Sequence, residues 1–111
     1  VADWRIAGGS AFVSKLVSQF VSDATASVEK IQAALESENA NEVLEAAHGL
    51  KGMSANMGLT ELVRAAHHME TLGRHYNLQD GSSVFDSVQK EFARVHEALQ
   101  DVLEQEELSS K

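Results

Sequence analysis

Residues 85–102 read FDSVQKEFARVHEALQDV, and their pattern decides the fold class. The apolar side chains alternate between spacings of three and four residues, at Phe85, Val88, Phe92, Val95, Leu99 and Val102. This spacing places one apolar stripe along an α-helix, as in a helix that packs within a bundle. Because such a stripe must be buried against other elements, the rest of the chain is expected to supply further helices.

Two shorter helices are predicted in the middle of the chain. Asn39 followed by Glu42 resembles a capping box at the start of one helix, and Gly58 is expected to end it. Thr60 can cap the next helix through its hydroxyl group. The inward side chains of that helix are predicted to be Leu62, Ala66, Met69 and Leu72.

The first part of the chain is also helical in pattern. Between residues 10 and 35 apolar side chains recur with a period near 3.6, which predicts one long helix or two in line. Four helices with short connections indicate an all-α, antiparallel up-down-up-down bundle. We expect a single domain over residues 1–111, with an N-terminal arm or short helix at about 1–9 and a frayed tail at about 105–111.

Composition excludes several classes of function. The 111 residues include nine Lys and Arg against 17 Asp and Glu, so the net charge is -8 and no basic stripe is present for nucleic acid or for an anionic membrane. There is no cysteine for disulfides or thiolate metal sites, and no apolar run approaches the roughly 20 residues of a membrane span. We therefore expect a soluble, cytoplasmic domain.

The second predicted helix carries a histidine on its outward face. On a helical wheel with 100° per residue, the side opposite His48 is occupied by Val43, Ala46, Leu50, Met53 and Met57, which should face the core. Gly52 and Ala55 lie near His48 and leave space around the imidazole, while Ser54 turns inward. Lys51, three residues on, can reach the same volume. A nucleophilic imidazole, a cation and cleared space together favour a site for a phosphoryl group.

The segment HGLKGMSANMG, residues 48–58, closely resembles the signature H-x-[LIF]-K-G-x-[SA]-x-x-x-G of histidine-containing phosphotransfer (Hpt) domains. The resemblance extends over nearly the whole chain, from about Gly8 to Leu103. It implies a helical bundle that acts as an intermediate in a phosphorelay of a two-component system. It further implies that the chain is not a self-contained enzyme, whether it stands alone or belongs to a hybrid sensor histidine kinase.

Roles for individual residues follow from the same resemblance. His48 would be the phosphoacceptor through Nε2, Lys51 would lie beside the phosphoryl group, and Gly52 would give the partner access. Gly58 would allow a tight turn. Glu70, 22 positions after the histidine, would accept a hydrogen bond from Nδ1–H and so fix the tautomer that leaves Nε2 free. The alternative is that Glu70 is one more exposed acid.

The resemblance also implies the partners. They would be response-regulator receiver domains that bind Mg²⁺ themselves, so the chain would need no cofactor of its own. We expect a monomer that docks through a shallow apolar surface around His48. The candidate contact residues are Leu44, Ala55, Leu59, Arg74, Phe12 and Leu16. Phe12 and Leu16 could instead belong to the core, as apolar helix stripes more often do, and Arg74 could instead form an ion pair with Glu70.

Other readings of the same residues remain open. Glu45 and His48 form an E-x-x-H sequence of the kind that di-iron bundles use in pairs, but no second copy occurs. The adjacent His67 and His68 are interpreted as surface decoration. A histidine domain phosphorylated directly by a chemotaxis-type kinase, or a helical interaction domain without chemistry, would also fit. For Gly49 the only predicted role is close packing between helices.

Overall fold

The structure is a computed structural model that describes the backbone of residues 4–109 and the side chains of residues 12–105. Four helices account for most of the described residues, and no strand occurs among them. They are α1 (Trp4–Glu36), α2 (Ala40–Asn56), α3 (Thr60–Arg74) and α4 (Gly81–Ser109). The prediction of an all-α four-helix bundle is confirmed.

Each helix packs against two others, so the four helices form a closed ring around one core. Helix α1 contacts α2 and α4, and α3 contacts the same two helices. The connections of three to six residues make consecutive helices antiparallel. At 1.5 Å per residue, the 33-residue α1 is about 50 Å long while the 17-residue α2 is about 26 Å long. The α2–α3 hairpin therefore covers only part of the α1–α4 pair.

The core contains most of the predicted apolar stripes. All four inward residues of α3 are buried, and in α4 Phe85, Val88 and Leu99 are buried while Phe92, Val95 and Val102 are half-buried. In α2 the prediction is partly wrong, because Ala46 and Met53 are only half-buried whereas Ala47 is fully buried. Ser54 is fully buried, as the helical wheel predicts. Helix α2 packs against both α1 and α3. Its buried surface is therefore not centred opposite His48, as the helical wheel assumed.

The helix starts agree with the sequence in one case and differ in another. The side chain of Asn39 accepts a hydrogen bond from the Glu42 amide at 3.1 Å, as the capping pattern predicts. Thr60, in contrast, is the first residue inside α3, and Leu59 occupies the cap position without a side-chain hydrogen bond. The turn at Gly58 closes by a hydrogen bond from the Leu59 amide to the Ser54 carbonyl, which brings Leu59 directly to the start of α3.

The chain ends differ from the predicted arm and tail. Residues 4–9 are the first turns of α1 rather than a separate arm or short helix, and α1 continues unbroken to Glu36. The sequence contains no proline that would interrupt the backbone hydrogen bonds of α1. Helix α4 likewise extends to Ser109, through most of the segment predicted to fray. Residues 1–3 and 110–111 lie outside the described residues, as do the side chains of Trp4 and Ile6.

Within the described ranges, none of the four helices combines the length and apolar character that crossing a membrane requires.

Candidate functional site

His48 lies near the middle of α2 and projects away from the core, as the helical wheel predicts. Its side chain is 70% exposed, yet one edge of the ring is held. The Nδ1 atom lies 2.6 Å from Oε2 of Glu70, a residue of the neighbouring helix α3. The opposite ring nitrogen, Nε2, takes no part in this contact. His48 therefore combines a fixed ring with an accessible face.

Glu70 is buried although it is charged. Its side chain is only 1% exposed, and Lys51 donates a hydrogen bond from Nζ to Oε1 at 2.6 Å. Two further basic groups from α3 lie near the carboxylate: Nδ1 of His67 is 3.4 Å from Oε1, and Nη2 of Arg74 is 3.5 Å from Oε2. The alternative that Glu70 is an exposed acid is therefore wrong, and Arg74 does face it as an i,i+4 partner.

The close approach of α3 to α2 depends on Gly73. A Cβ atom at this position would lie 2.7 Å from the backbone nitrogen of Leu44 and 2.9 Å from the carbonyl oxygen of Ala40. Those atoms belong to the backbone and cannot move aside cheaply. Gly73 is one turn after Glu70, so the absence of its side chain lets this part of α3 lie against α2 and brings the carboxylate to His48. In the sequence, the signal of this close approach is a glycine inside a helical pattern, for which no role was predicted.

The electrostatics of Glu70 reflect two opposed effects. Burial by itself would raise the pKa of this carboxyl group. The hydrogen bonds from Lys51 and His48, together with the charges of those two groups, outweigh burial and lower the pKa from 4.5 to about 2. Glu70 is therefore an ionised carboxylate at neutral pH.

An ionised Glu70 fixes the tautomer of His48. A carboxylate can only accept hydrogen bonds, so the atom that faces it at 2.6 Å must carry the proton. The neutral imidazole is then protonated on Nδ1 and keeps its lone pair on Nε2. Nε2 lies on the side of the ring away from Glu70. It can therefore act as a nucleophile toward a group that approaches from solvent.

Three glycines of the 48–58 segment have different surroundings. Gly52 is exposed, and a Cβ at this position would meet nothing within 4 Å, so the space beside His48 is open. Gly49 is equally open, and its predicted role in close helix packing is wrong because a Cβ at this position would also meet nothing within 4 Å. Gly58 has a φ of 72°, the left-handed conformation that glycine adopts without penalty, in agreement with the predicted tight turn. Buried Ser54 donates to the Leu50 carbonyl at 2.7 Å.

The predicted docking residues differ in their exposure. Ala55 and Arg74 are exposed, whereas Leu44, Leu59 and Leu16 are half-buried and leave only part of their apolar surface accessible. Phe12 is 43% exposed, and among residues 12–105 the other large exposed apolar side chain is Tyr76. Their role in docking stays a prediction.

His67 belongs to the cluster, although the sequence predicts only an exposed polar position for it. It lies three residues before Glu70 and therefore on the same face of α3. That spacing was a signal, but it becomes informative only once Glu70 is known to be buried. His68, its neighbour, is also exposed but is not among the groups that contact Glu70.

The described part of the chain contains no cluster of side chains suited to a metal centre. No group of three or more His, Asp or Glu side chains between residues 12 and 105 is arranged to hold a metal ion.

Comparison with known proteins gives two matches. The sequence model of the Hpt domain matches residues 15–106. A crystal structure of histidine-containing phosphotransfer protein B (HptB) from Pseudomonas aeruginosa PAO1 superimposes with a TM-score of 0.79 at 28% sequence identity, covering 81% of this chain and 78% of that one. A search of curated proteins finds no match.

Proposed function

Because the chain belongs to the Hpt domain family, it is a histidine phosphotransfer module of phosphorelay signalling, and we propose that His48 is the residue that carries the phosphoryl group. The observation that carries this proposal is the contact between Nδ1 of His48 and Oε2 of buried Glu70. It holds the ring, assigns the proton to Nδ1 and leaves the exposed Nε2 as the nucleophile. The position of His48 in the family signature supports the same assignment.

The transfer step is a substitution at phosphorus. Nε2 of His48 attacks the phosphoryl group of a phosphoaspartate as the P–O bond to the aspartate breaks, and the aspartate leaves as a carboxylate with the bonding electrons. The imidazole keeps its Nδ1 proton and gains positive charge as the N–P bond forms. Glu70, 2.6 Å from Nδ1, balances this charge. The reverse reaction follows the same path, so phosphate can flow in either direction.

Lys51 supplies the second charge in this proposal. Its side chain is 28% exposed, and its ammonium group donates to Glu70 from the same helix that carries His48. An ammonium group carries three donors, so Lys51 can approach the phosphoryl oxygens once they arrive. The open volume over Gly52 lets a partner active site reach Nε2 without meeting a side chain.

Hpt domains interact with response-regulator receiver domains in two-component systems. We propose that this chain docks such a receiver on the surface around His48, with Leu44, Ala55 and Leu59 close to the histidine and Phe12 and Leu16 on α1. The Mg²⁺ ion would belong to the receiver, and the chain would act without a cofactor of its own and without catalysing a self-contained reaction. A monomeric state and a cytoplasmic location are part of the same proposal.

The test is transfer of radiolabelled phosphate from a receiver domain labelled on its aspartate. We expect the wild-type chain to take up label and His48→Gln to take up none, while His68→Gln, which alters an exposed histidine outside the cluster, takes up label as the wild type does. Label that persists on His48→Gln would refute the assignment of the phosphoacceptor.

A further inference from the structure

The two carboxylate oxygens of Glu70 are surrounded by basic groups in the same way. Each oxygen has one close donor from α2 and a second, more distant basic group from α3. Oε1 faces Nζ of Lys51 at 2.6 Å and Nδ1 of His67 at 3.4 Å. Oε2 faces Nδ1 of His48 at 2.6 Å and Nη2 of Arg74 at 3.5 Å. In this state the α3 groups lie just outside good hydrogen-bond distance.

Phosphorylation of His48 offers new hydrogen-bond acceptors to only one of the two close donors, Lys51. His48 keeps its Nδ1 proton and its contact with Oε2, because the phosphoryl group is attached at the opposite nitrogen. Lys51, however, then faces a new group with about two negative charges and three acceptor oxygens. If the ammonium group turns toward that group, Oε1 of a carboxylate that is 1% exposed loses its close donor. A buried acceptor without a partner is strongly unfavourable.

We propose that His67 is a positioning residue that takes over Oε1 of Glu70 when Lys51 turns to the phosphoryl group. This inference rests on the proposed function, since it requires phosphorylation of His48. The His67 side chain is 60% exposed, so it has room to change its torsion angles, and Nδ1 needs to move by only a few tenths of an ångström. The exchange leaves Glu70 paired at both oxygens in both states of the domain.

The exchange requires no reactant beyond those of the transfer itself. The N–P bond forms at Nε2 of His48 while the P–O bond to the aspartate breaks. Lys51 moves its hydrogen bond from Oε1 to the phosphoryl oxygens, and the Nδ1–H of His67 donates to Oε1 instead. No proton leaves the cluster, because His67 donates from Nδ1 in either its neutral Nδ1–H tautomer or its charged form.

The adjacent histidines provide a matched pair of variants. His67→Ala should lower the equilibrium constant for transfer from a labelled receiver onto His48 about five- to tenfold, because the phosphorylated state loses the replacement donor. His68→Ala should leave that constant unchanged. Thermal unfolding of the unphosphorylated protein should be the same for both variants, since Lys51 still holds Oε1. His67→Gln, whose amide can donate to Oε1, should recover most of the loss.

A double-mutant cycle with Lys51→Ala identifies the mechanism. In that background Lys51 is absent, so no donor leaves Oε1 of Glu70 when His48 is phosphorylated. Adding His67→Ala should then leave the transfer equilibrium unchanged. A His67→Ala effect of equal size in both backgrounds would overturn the proposal, as would equal behaviour of His67→Ala and His68→Ala. Neither result affects the proposed function, which fails separately if wild-type protein takes up no label or if His48→Gln retains it.

Discussion

Glu70 illustrates how much of this site depends on single side chains. Its carboxylate can only accept hydrogen bonds, and it faces His48 and Lys51 at 2.6 Å each. A glutamine would be nearly isosteric, but its amide could present either an acceptor or a donor to Nδ1. At the residue scale, the negative charge of Glu70 therefore selects the Nδ1–H tautomer, and that selection makes Nε2 the nucleophile.

Gly52 and Gly49 give a prediction at the same scale, because both are exposed glycines of α2 with open space around them. Glycine in a helix interior is less favourable than glutamine by up to about 1 kcal/mol, so Gly52→Gln and Gly49→Gln should each stabilise the fold slightly. Only Gly52→Gln places a long side chain beside His48, and it should slow phosphotransfer about tenfold or more. Urea unfolding and the transfer rate measure the two effects.

Gly49→Gln is the control in this comparison, since it makes the same helix-favouring change on another part of the surface. Equal transfer rates for Gly52→Gln and the wild type would show that open space beside His48 is not required for access.

At the scale of elements, α1, α2 and α3 end in the same way. In each case the last turn closes with paired backbone hydrogen bonds of the Schellman type, such as the Asn77 amide to the Leu72 carbonyl at 2.9 Å. The residue in the left-handed conformation is Glu38 after α1, Gly58 after α2 and Tyr76 after α3, with φ values of 55°, 72° and 54°. Only one of the three is a glycine, so two of these turns carry backbone strain.

In these turns, introducing a glycine and removing one should have opposite effects on the free energy of unfolding. Tyr76→Gly and Glu38→Gly should raise the free energy of unfolding by roughly 0.5 to 1 kcal/mol, because glycine removes the left-handed strain at the expense of some entropy in the unfolded chain. Gly58→Ala should lower it by about 1 kcal/mol for the converse reason. Both exposed side chains, Glu38 and Tyr76, contribute little packing. Urea denaturation of the three variants would check this, and a destabilised Tyr76→Gly would contradict it.

At the scale of the whole molecule, Glu70 links folding to pH. Its pKa is lowered from 4.5 to about 2 in the folded state, so the folded protein binds fewer protons than the unfolded chain in this interval. The resulting stabilisation is fully present above about pH 4.5 and is lost progressively as the pH falls toward 2. The free energy of unfolding of the wild type should therefore exceed that of Glu70→Gln by less and less as the pH is lowered from 4.5 to 2.

Exposed Glu61 supplies the control for this pH dependence. Its carboxylate pairs with Arg64 on the surface of α3, at 3.2 Å, and exposed pairs of this kind contribute little to stability. The difference between wild type and Glu61→Gln should change much less over the same interval. A wild-type to Glu70→Gln difference that stays constant from pH 5 to pH 2.5 would exclude the stabilising role of ionised Glu70.

The features that could be predicted from residue spacing are those that depend on the geometry of one helix. The three-and-four spacing of α4 indicated a bundle, the cap at Asn39 set the start of α2, and the wheel placed His48 outward with Gly52 beside it. These features are local, because the geometry of a single helix determines which of its residues share a face. The 48–58 motif added the phosphotransfer function through resemblance to its family.

The position of α3 against α2 could not be predicted in the same way. The burial of Glu70, its contact with Lys51 and the membership of His67 in the cluster depend on the relative rotation and distance of the two helices. The contact between Glu70 and His48 depends on them as well, and before the structure it was expected only from the family resemblance. No spacing within either helix specifies those quantities. They depend on packing between helices, here on Gly73, where any side chain would collide with the backbone of α2.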